Sequence, residues 1–257
     1  METDPSRWIT TLAESHDRLR SLVERLDGPG VRAPAYPTEW TIAQVVSHLG
    51  SGGEIFLGFL DAGLAGAEPP GREQFEPIWA AWNTRTPEAQ VADGLAVDTA
   101  FVERVAGLDP AVRDGLHLPM FGMDIDIVGL LRMRLSEHAV HTWDVAVALD
   151  ASATVAPGPT ALLIDTLGPL VARAGKPSDE SRQVRVRTTD PERDLLLDLG
   201  DSASLRPFIG GDTPARLALP AEAFIRLVYG RLDPAHTPAV QADGIGLDEL
   251  RRIFPGF

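Results

Sequence analysis

Residues 132–150 read RMRLSEHAVHTWDVAVALD, and together with Leu130 and Leu131 the run carries Leu135, Val140, Val145, Val147 and Leu149 around every side of a helix. A helix with no wide polar face belongs in the interior of a fold. Glu137, His138 and His141 break the pattern. A carboxylate enters such surroundings when it is paired, hydrogen-bonded or bound to a metal. Four residues apart on a helix, Glu137 and His141 stack one above the other with Cβ atoms roughly 6 Å apart, so that two ligands can converge on one point. The same spacing fits a buried Glu137 salt-bridged to Arg134, with His141 bonded to a backbone carbonyl. The stretch taken alone admits both readings.

Working outward toward the N-terminus, Asp4-Pro5 has the form of a helix cap followed by proline in the first turn. Trp8, Leu12, Leu19, Leu22, Val23 and Leu26 then recur at helical spacing until Gly28-Pro29-Gly30. His16 lies beside this apolar stripe and reads as a half-buried structural histidine. After the turn-rich VRAPAYPTEW, Thr41 and Gln44 form a capping box, with Trp40 and Val45 placed for a hydrophobic staple. A second helix follows, with Ile42, Val45, Val46, Leu49, Phe56 and Phe59 facing inward and His48 on or beside that face. Phe75, Trp79 and Trp82 are spaced for a short helix. Thr86-Pro87 opens a third long helix through Val91, Leu95, Phe101 and Val105. Residues 109–123 read as a long connection containing His117, Met120, Phe121 and Met123, after which Asp124 or Asp126 caps the central helix. The first half is therefore expected to be an all-α four-helix bundle.

Composition changes after Asp150. ASATVAPGPT reads as a linker and 160–174 as a helix. The segments 184–188, 195–199 and 215–219 have strand character, a helix starts at Ala221, and a last strand (239–244) and helix (247–253) complete an α+β half. The expected domains are residues 1–152 and 153–257.

The chain of 257 residues is 44% hydrophobic, enough for real cores, and its formal charge of −14 argues against nucleic acid or anionic membrane surfaces as partners. No apolar run is long enough to span a bilayer, and the polar, acidic start METDPSRW lacks the form of a signal peptide, so a cytoplasmic location is expected. Cysteine is absent, which excludes disulfides, thiolate metal sites and a cysteine nucleophile. Any thiol chemistry here uses a thiol from outside the chain.

The set EWTIAQVVSHL (39–49), RLSEHAVHTWDVAVAL (134–149) and LPAEAFIRLVYGRL (219–232), in this order, resembles the mycothiol-dependent maleylpyruvate isomerase family over nearly the whole chain. The resemblance implies a DinB-like metal-binding bundle joined to a C-terminal domain similar to sterol carrier proteins. It implies a divalent metal, usually Zn2+, held by His48, Glu137 and His141, and mycothiol as thiol cosubstrate. It places Arg231, in the Tyr-Gly-Arg turn after the late helix, toward the active site as a catalytic and cosubstrate-binding cation; a surface arginine capping that helix is the other reading. His138 and His141, three apart, also make a workable ligand pair, but the family motif puts the carboxylate at Glu137. Arg134 is a second candidate cation, or a partner of Glu137.

Two histidines and a carboxylate suit zinc with an open coordination position, and other divalent metals accept the same donors. The H-E-x-x-H arrangement of a metal-dependent peptidase is missing, since the run is Glu137-His138-Ala139-Val140-His141. The implied chemistry is addition of an activated thiolate to an electrophile such as an unsaturated acid, with cis–trans isomerisation if the thiolate departs again and S-transfer, in detoxification or natural-product assembly, if the adduct is kept. A sterol-carrier-like half alone would instead make the protein a non-catalytic carrier of apolar ligands.

Overall fold

The computed structural model describes residues 2–36, 39–178 and 180–256. Pro37 and Thr38 of the turn-rich stretch, and the first and last residues, thus lie outside the described residues. The chain divides into two compact units, residues 2–153 and 154–256.

The first unit is dominated by four long helices, each started by a side chain that accepts from a free backbone amide. In α1 (Pro5–Val23) the cap is Asp4, whose carboxylate accepts from Ser6 N at 2.9 Å. In α2 (Ile42–Ala65) the capping box is complete: Gln44 N donates to Thr41 Oγ1 at 3.2 Å and Thr41 N to Gln44 Oε1 at 2.8 Å. The short α3 (Phe75–Asn83) carries Phe75 and Trp82 inward and leaves Trp79 partly exposed. Thr86 caps α4 (Pro87–Ala106), and Asp126 caps α5 (Ile127–Leu149) through a 2.7 Å bond from Gly129 N. α2 and α4 approach closely where glycines face each other: a Cβ on Gly94 would sit 2.6 Å from Val46 Cγ1, and one on Gly50 would sit 3.0 Å from the Gly94 Cα. α5 is the most enclosed of these helices, with 130, 131, 134, 135 and 138–147 all buried.

One expectation is overturned here, because the first unit is not purely helical. Within the expected connection, β1 (Leu118–Met120) and β2 (Met123–Ile125) form an antiparallel hairpin of their own, turning at Phe121 and Gly122, both at positive φ. The turn uses Phe-Gly in place of the Asn-Gly or Asp-Gly that advertises such a hairpin in sequence. Leu118 and Met120 point inward, and a Cβ on Gly63 of α2 would meet the Leu118 side chain at 2.2 Å.

In the second unit the helix expected over 160–174 begins earlier and is broken. α6 (Pro157–Leu163) gives way to a 3-10 turn, Ile164–Thr166, and then to α7 (Gly168–Ala174), the break falling where Pro169 has no amide to continue the ladder. The linker is correspondingly shorter than ASATVAPGPT. A mixed sheet follows, built from β3 (Arg182–Thr189), β4 (Arg193–Leu199), β5 (Ser204–Pro207), β6 (Ala215–Pro220) and β7 (Gln241–Asp243), in the order β5-β4-β3-β6-β7. Only the β3–β6 pairing is parallel. Sequence reading missed β5, a short polar edge strand without apolar alternation. Val184, Val186 and Thr188 turn inward while Gln183, Arg185 and Arg187 turn out, the period of two expected of a half-covered sheet. Within this unit α8 (Ala221–Val228) is buried along its whole length, its charged pair Arg226 and Glu222 bonded at 2.7 Å, and α9 (Leu247–Ile253) closes the chain.

Candidate metal centre

Two groups of two histidines and one carboxylate gather in the first unit, and both draw on the turn 137–141 of α5. Among the described residues they are the groups whose ligand atoms lie within 4.8 Å of one another: His48, Glu137 and His141, and His16, Asp98 and His138.

In the outer group α2 supplies His48 and α5 supplies the other two. The Nε2 atoms of His48 and His141 stand 3.4 and 3.6 Å from Glu137 Oε2. These separations are long for strong hydrogen bonds. They match what a shared centre would give, since tetrahedral ligands about 2.1 Å from one ion lie about 3.4 Å apart. The imidazoles meet edge to face, with centroids 4.6 Å apart, and the Trp40 indole lies alongside both, 5.2 Å from His48 and 6.2 Å from His141. The His48 and Glu137 side chains remain 39% and 43% exposed against 10% for His141, so the group is closed toward the core and open on its other side.

Electrostatics favour an anionic Glu137. Burial pushes its carboxyl up, but His141 and His48 outweigh that and hold it well below the usual carboxylate range. Burial pushes His48 down and thereby favours the neutral imidazole, against the opposing pull of Glu137. Burial also opposes charge on His141, yet Asp144 and Glu137 on either side raise its pKa. His141 Nδ1 is 2.8 Å from Asp144 Oδ2, a contact whose i,i+3 spacing was legible in the sequence although Asp144 was not assigned that part.

The inner group is built differently. His138 Nε2 donates to Asp98 Oδ2 at 3.1 Å while its Nδ1 sits against the hydroxyls of Ser15 (2.9 Å) and Thr142 (3.2 Å). Arg20, which can only donate, approaches His16 Nε2 at 2.7 Å, so the His16 proton resides on Nδ1, 3.8 Å from Asp98 Oδ2. Both rings therefore turn N–H groups toward Asp98. Arg134 is also bonded to Asp98, and donates to Leu49 O at 2.9 Å. Burial raises the Asp98 carboxyl, but Arg134 and His138 more than reverse this and hold it far below its ordinary range. A carboxylate whose charge is already matched by a bonded guanidinium has little left to offer a cation. The expected alternative in which Arg134 pairs with Glu137 is thereby corrected: its partner is Asp98.

Residues 12–146 match the family model described as the mycothiol maleylpyruvate isomerase N-terminal domain. The chain belongs to this family. Its fold is similar, at 12% identity, to the crystal structure of a mycothiol-dependent maleylpyruvate isomerase, over 94% of this chain and 93% of that one with a TM-score of 0.69. A crystal structure of a histidine-to-alanine mutant of mycothiol-dependent maleylpyruvate isomerase matches over the same shares with a TM-score of 0.68, also at 12% identity. No curated protein matches in sequence.

The family's N-terminal region thus spans both histidine groups. Arg231 lies beyond it, in the second unit, where its guanidinium donates to Tyr229 O at 2.9 Å. His117 sits on the surface beside Asp124, 3.3 Å away, apart from either group. No helix among the described residues is long and apolar enough to cross a membrane.

Proposed function

We propose that this protein is a metal-dependent enzyme that takes mycothiol as thiol cosubstrate and adds its thiolate to an electrophilic unsaturated acid. Membership of the mycothiol maleylpyruvate isomerase family supports the thiol, and a chain without cysteine requires one from outside. The observation that carries the metal reading is the convergence of His48 Nε2 and His141 Nε2 on Glu137 Oε2. Zn2+ is the proposed ion, because two imidazoles and one carboxylate leave a position open for a further ligand. When bound, such an ion supplies a positive charge that favours the thiolate over the thiol near neutral pH.

The residues of the chain prepare the site for that chemistry. The surroundings favour an anionic Glu137 and a neutral His48, while the raised pKa of His141 means that a cation taking its Nε2 competes with a proton there. Trp40 walls the group with an apolar face, and the exposed edges of His48 and Glu137 leave the approach open. In the reaction the thiolate sulfur bonds to the β carbon of the acid and the C=C electron pair moves toward the carboxyl end. The former double bond then rotates, and expulsion of the same sulfur restores the alkene in the trans form. If a proton is taken up at carbon instead, the outcome is S-transfer. Arg231 is proposed, from the sequence resemblance, to hold the acid's carboxylate. On the same footing we read residues 1–152 as a DinB-like four-helix bundle, a reading that the four long helices support, and 153–257 as a sterol-carrier-like domain, located in the cytoplasm.

The test is turnover of a cis-unsaturated acid with and without mycothiol, in the wild type and in Arg231→Ala. Thiol-dependent turnover that falls in Arg231→Ala, with metal content unchanged, is the expected result. Turnover independent of thiol would sink the proposal, whereas turnover indifferent to Arg231→Ala would remove only the part given to that arginine.

A further inference from the structure

Asp144 is fully buried, three residues beyond His141 on α5, and its Oδ2 lies 2.8 Å from His141 Nδ1. A carboxylate in that position needs strong hydrogen-bond partners to offset its lost hydration. Its location is fixed from outside the helix as well: the Asp144 carbonyl accepts from Tyr36 N at 3.2 Å, and the Tyr36 ring packs edge-on against Trp143 with centroids 5.1 Å apart. The backbone that carries the carboxylate is thus held in place, and the carboxylate meets the imidazole on the edge opposite the one that faces Glu137. An ionised carboxylate only accepts, so His141 Nδ1 carries a proton in this contact, and in the neutral ring Nε2 is the nitrogen that keeps the lone pair. That lone pair points into the outer group, toward Glu137 Oε2.

From this geometry we propose that Asp144 is a positioning residue that fixes the Nδ1–H tautomer and ring orientation of His141 and so makes its Nε2 a metal donor. The negative charge behind the ring also raises the donor strength of Nε2. The inner group supplies the contrast within the same helix: His138, whose Nδ1 faces the neutral hydroxyls of Ser15 and Thr142, is free to place its proton on Nε2 and donates it to Asp98. Two histidines three residues apart thus carry opposite tautomers, and the group behind each ring decides which.

The metal half of this inference rests on the ligand reading given above, while the tautomer half stands independently of it. Long-range 15N–1H spectra of the metal-free full-length protein, at about pH 9 and thus well above the ordinary histidine range, report where each imidazole proton sits. The wild type should show Nδ1–H for His141, and Asp144→Ala should move that proton to Nε2. Zinc affinity, measured by competition with a chromophoric chelator, should fall about 10–100-fold in Asp144→Ala while the melting transition remains cooperative. Should Asp144→Ala fail to fold, Asp144→Asn preserves volume and removes the charge, and its zinc affinity should fall by about tenfold. A wild-type His141 protonated at Nε2 would overturn the proposal, as would a folded variant that keeps both the Nδ1–H form and wild-type zinc affinity. A wild type that binds no zinc overturns the ligand reading instead, and the tautomer shift then decides the role of Asp144 alone.

Discussion

The outer and inner histidine groups have the same kind of composition, two imidazoles and one carboxylate, and both draw on one five-residue stretch of α5, yet they are chemically opposite. In the outer group the carboxylate and a histidine nitrogen face each other at 3.4–3.6 Å with no guanidinium bonded to Glu137 among the described residues, and the side chains of His48 and Glu137 are about two-fifths exposed. In the inner group Arg134 is bonded to the carboxylate, Arg20 to one imidazole, and Asp98 and His138 are almost wholly buried. A set of polar side chains becomes a cation site when its charge is left uncompensated and its lone pairs converge. With an arginine added, the same set becomes an ion network that ties helices together. Asp98 of α4 joins His16 of α1 and Arg134 and His138 of α5, and Arg134 reaches on to the backbone of α2.

The sharpest way to break this comparison is to exchange single members of the two groups. Glu137→Ala and His141→Ala should each reduce bound metal from about one equivalent per chain to near zero by elemental analysis. His138→Ala should leave the metal in place. If the result is reversed, the functional labels of the two groups are reversed with it. Two equivalents in the wild type would show that the inner group also takes an ion.

The next largest effect is on stability. Asp98→Ala leaves Arg134 buried without its anion, a change of the kind that costs about 3–5 kcal/mol. Urea unfolding of the metal-loaded proteins should show that loss, whereas Glu137→Ala, compared metal-free with metal-free wild type, should show a much smaller one because its site is partly open to water. Equal losses in the two variants would erase the distinction drawn between them.

The pH dependence sharpens the same point. Because the Asp98 carboxyl is depressed in the folded protein, its stabilisation is fully present above the unfolded carboxyl range, about pH 3.9, and is lost as pH falls from there toward the folded value. Unfolding free energy should therefore drop steeply below about pH 4 in the wild type. Asp98→Asn, weaker at neutral pH, should show a flatter profile over that acid range. Parallel profiles would mean that the Asp98 charge contributes nothing.

The smallest expected effect concerns the start of α2. Thr41→Ala removes the side chain that accepts from Gln44 N, at a cost of about 1 kcal/mol. His48 stands beyond the first turn, held by the buried Val45, Val46 and Leu49, so metal content should be unchanged. A loss of metal in this variant would show that the cap, more than the packing, holds His48 in place.

Sequence by itself determined the elements that obey local rules. Asp4-Pro5, Thr41 with Gln44, Thr86-Pro87 and Asp126 mark helix starts because free amides need an acceptor there, and helical periodicity put His48, Glu137 and His141 on inward or half-inward positions. The four-residue spacing of Glu137 and His141 likewise follows from helix geometry alone. What local rules cannot specify is which residue a side chain meets from another part of the chain. Arg134 stands three residues before Glu137, yet it bonds to Asp98, 36 positions away, because α4 lies across the interior from α5, both helices packing on α1 and α2, and the long arginine side chain reaches through that interior. Spacing alone allows His138 as a partner of His141 on the metal, and only the family motif favours Glu137 in its place. Tertiary packing parted the two histidines, placing Ser15, Asp98 and Thr142 around one ring and His48, Glu137 and Asp144 around the other. The hairpin at 118–125 and the edge strand Ser204–Pro207 belong to the same class, since the turn chemistry of the first and the alternation of the second are too weak to act without the neighbours that hold them.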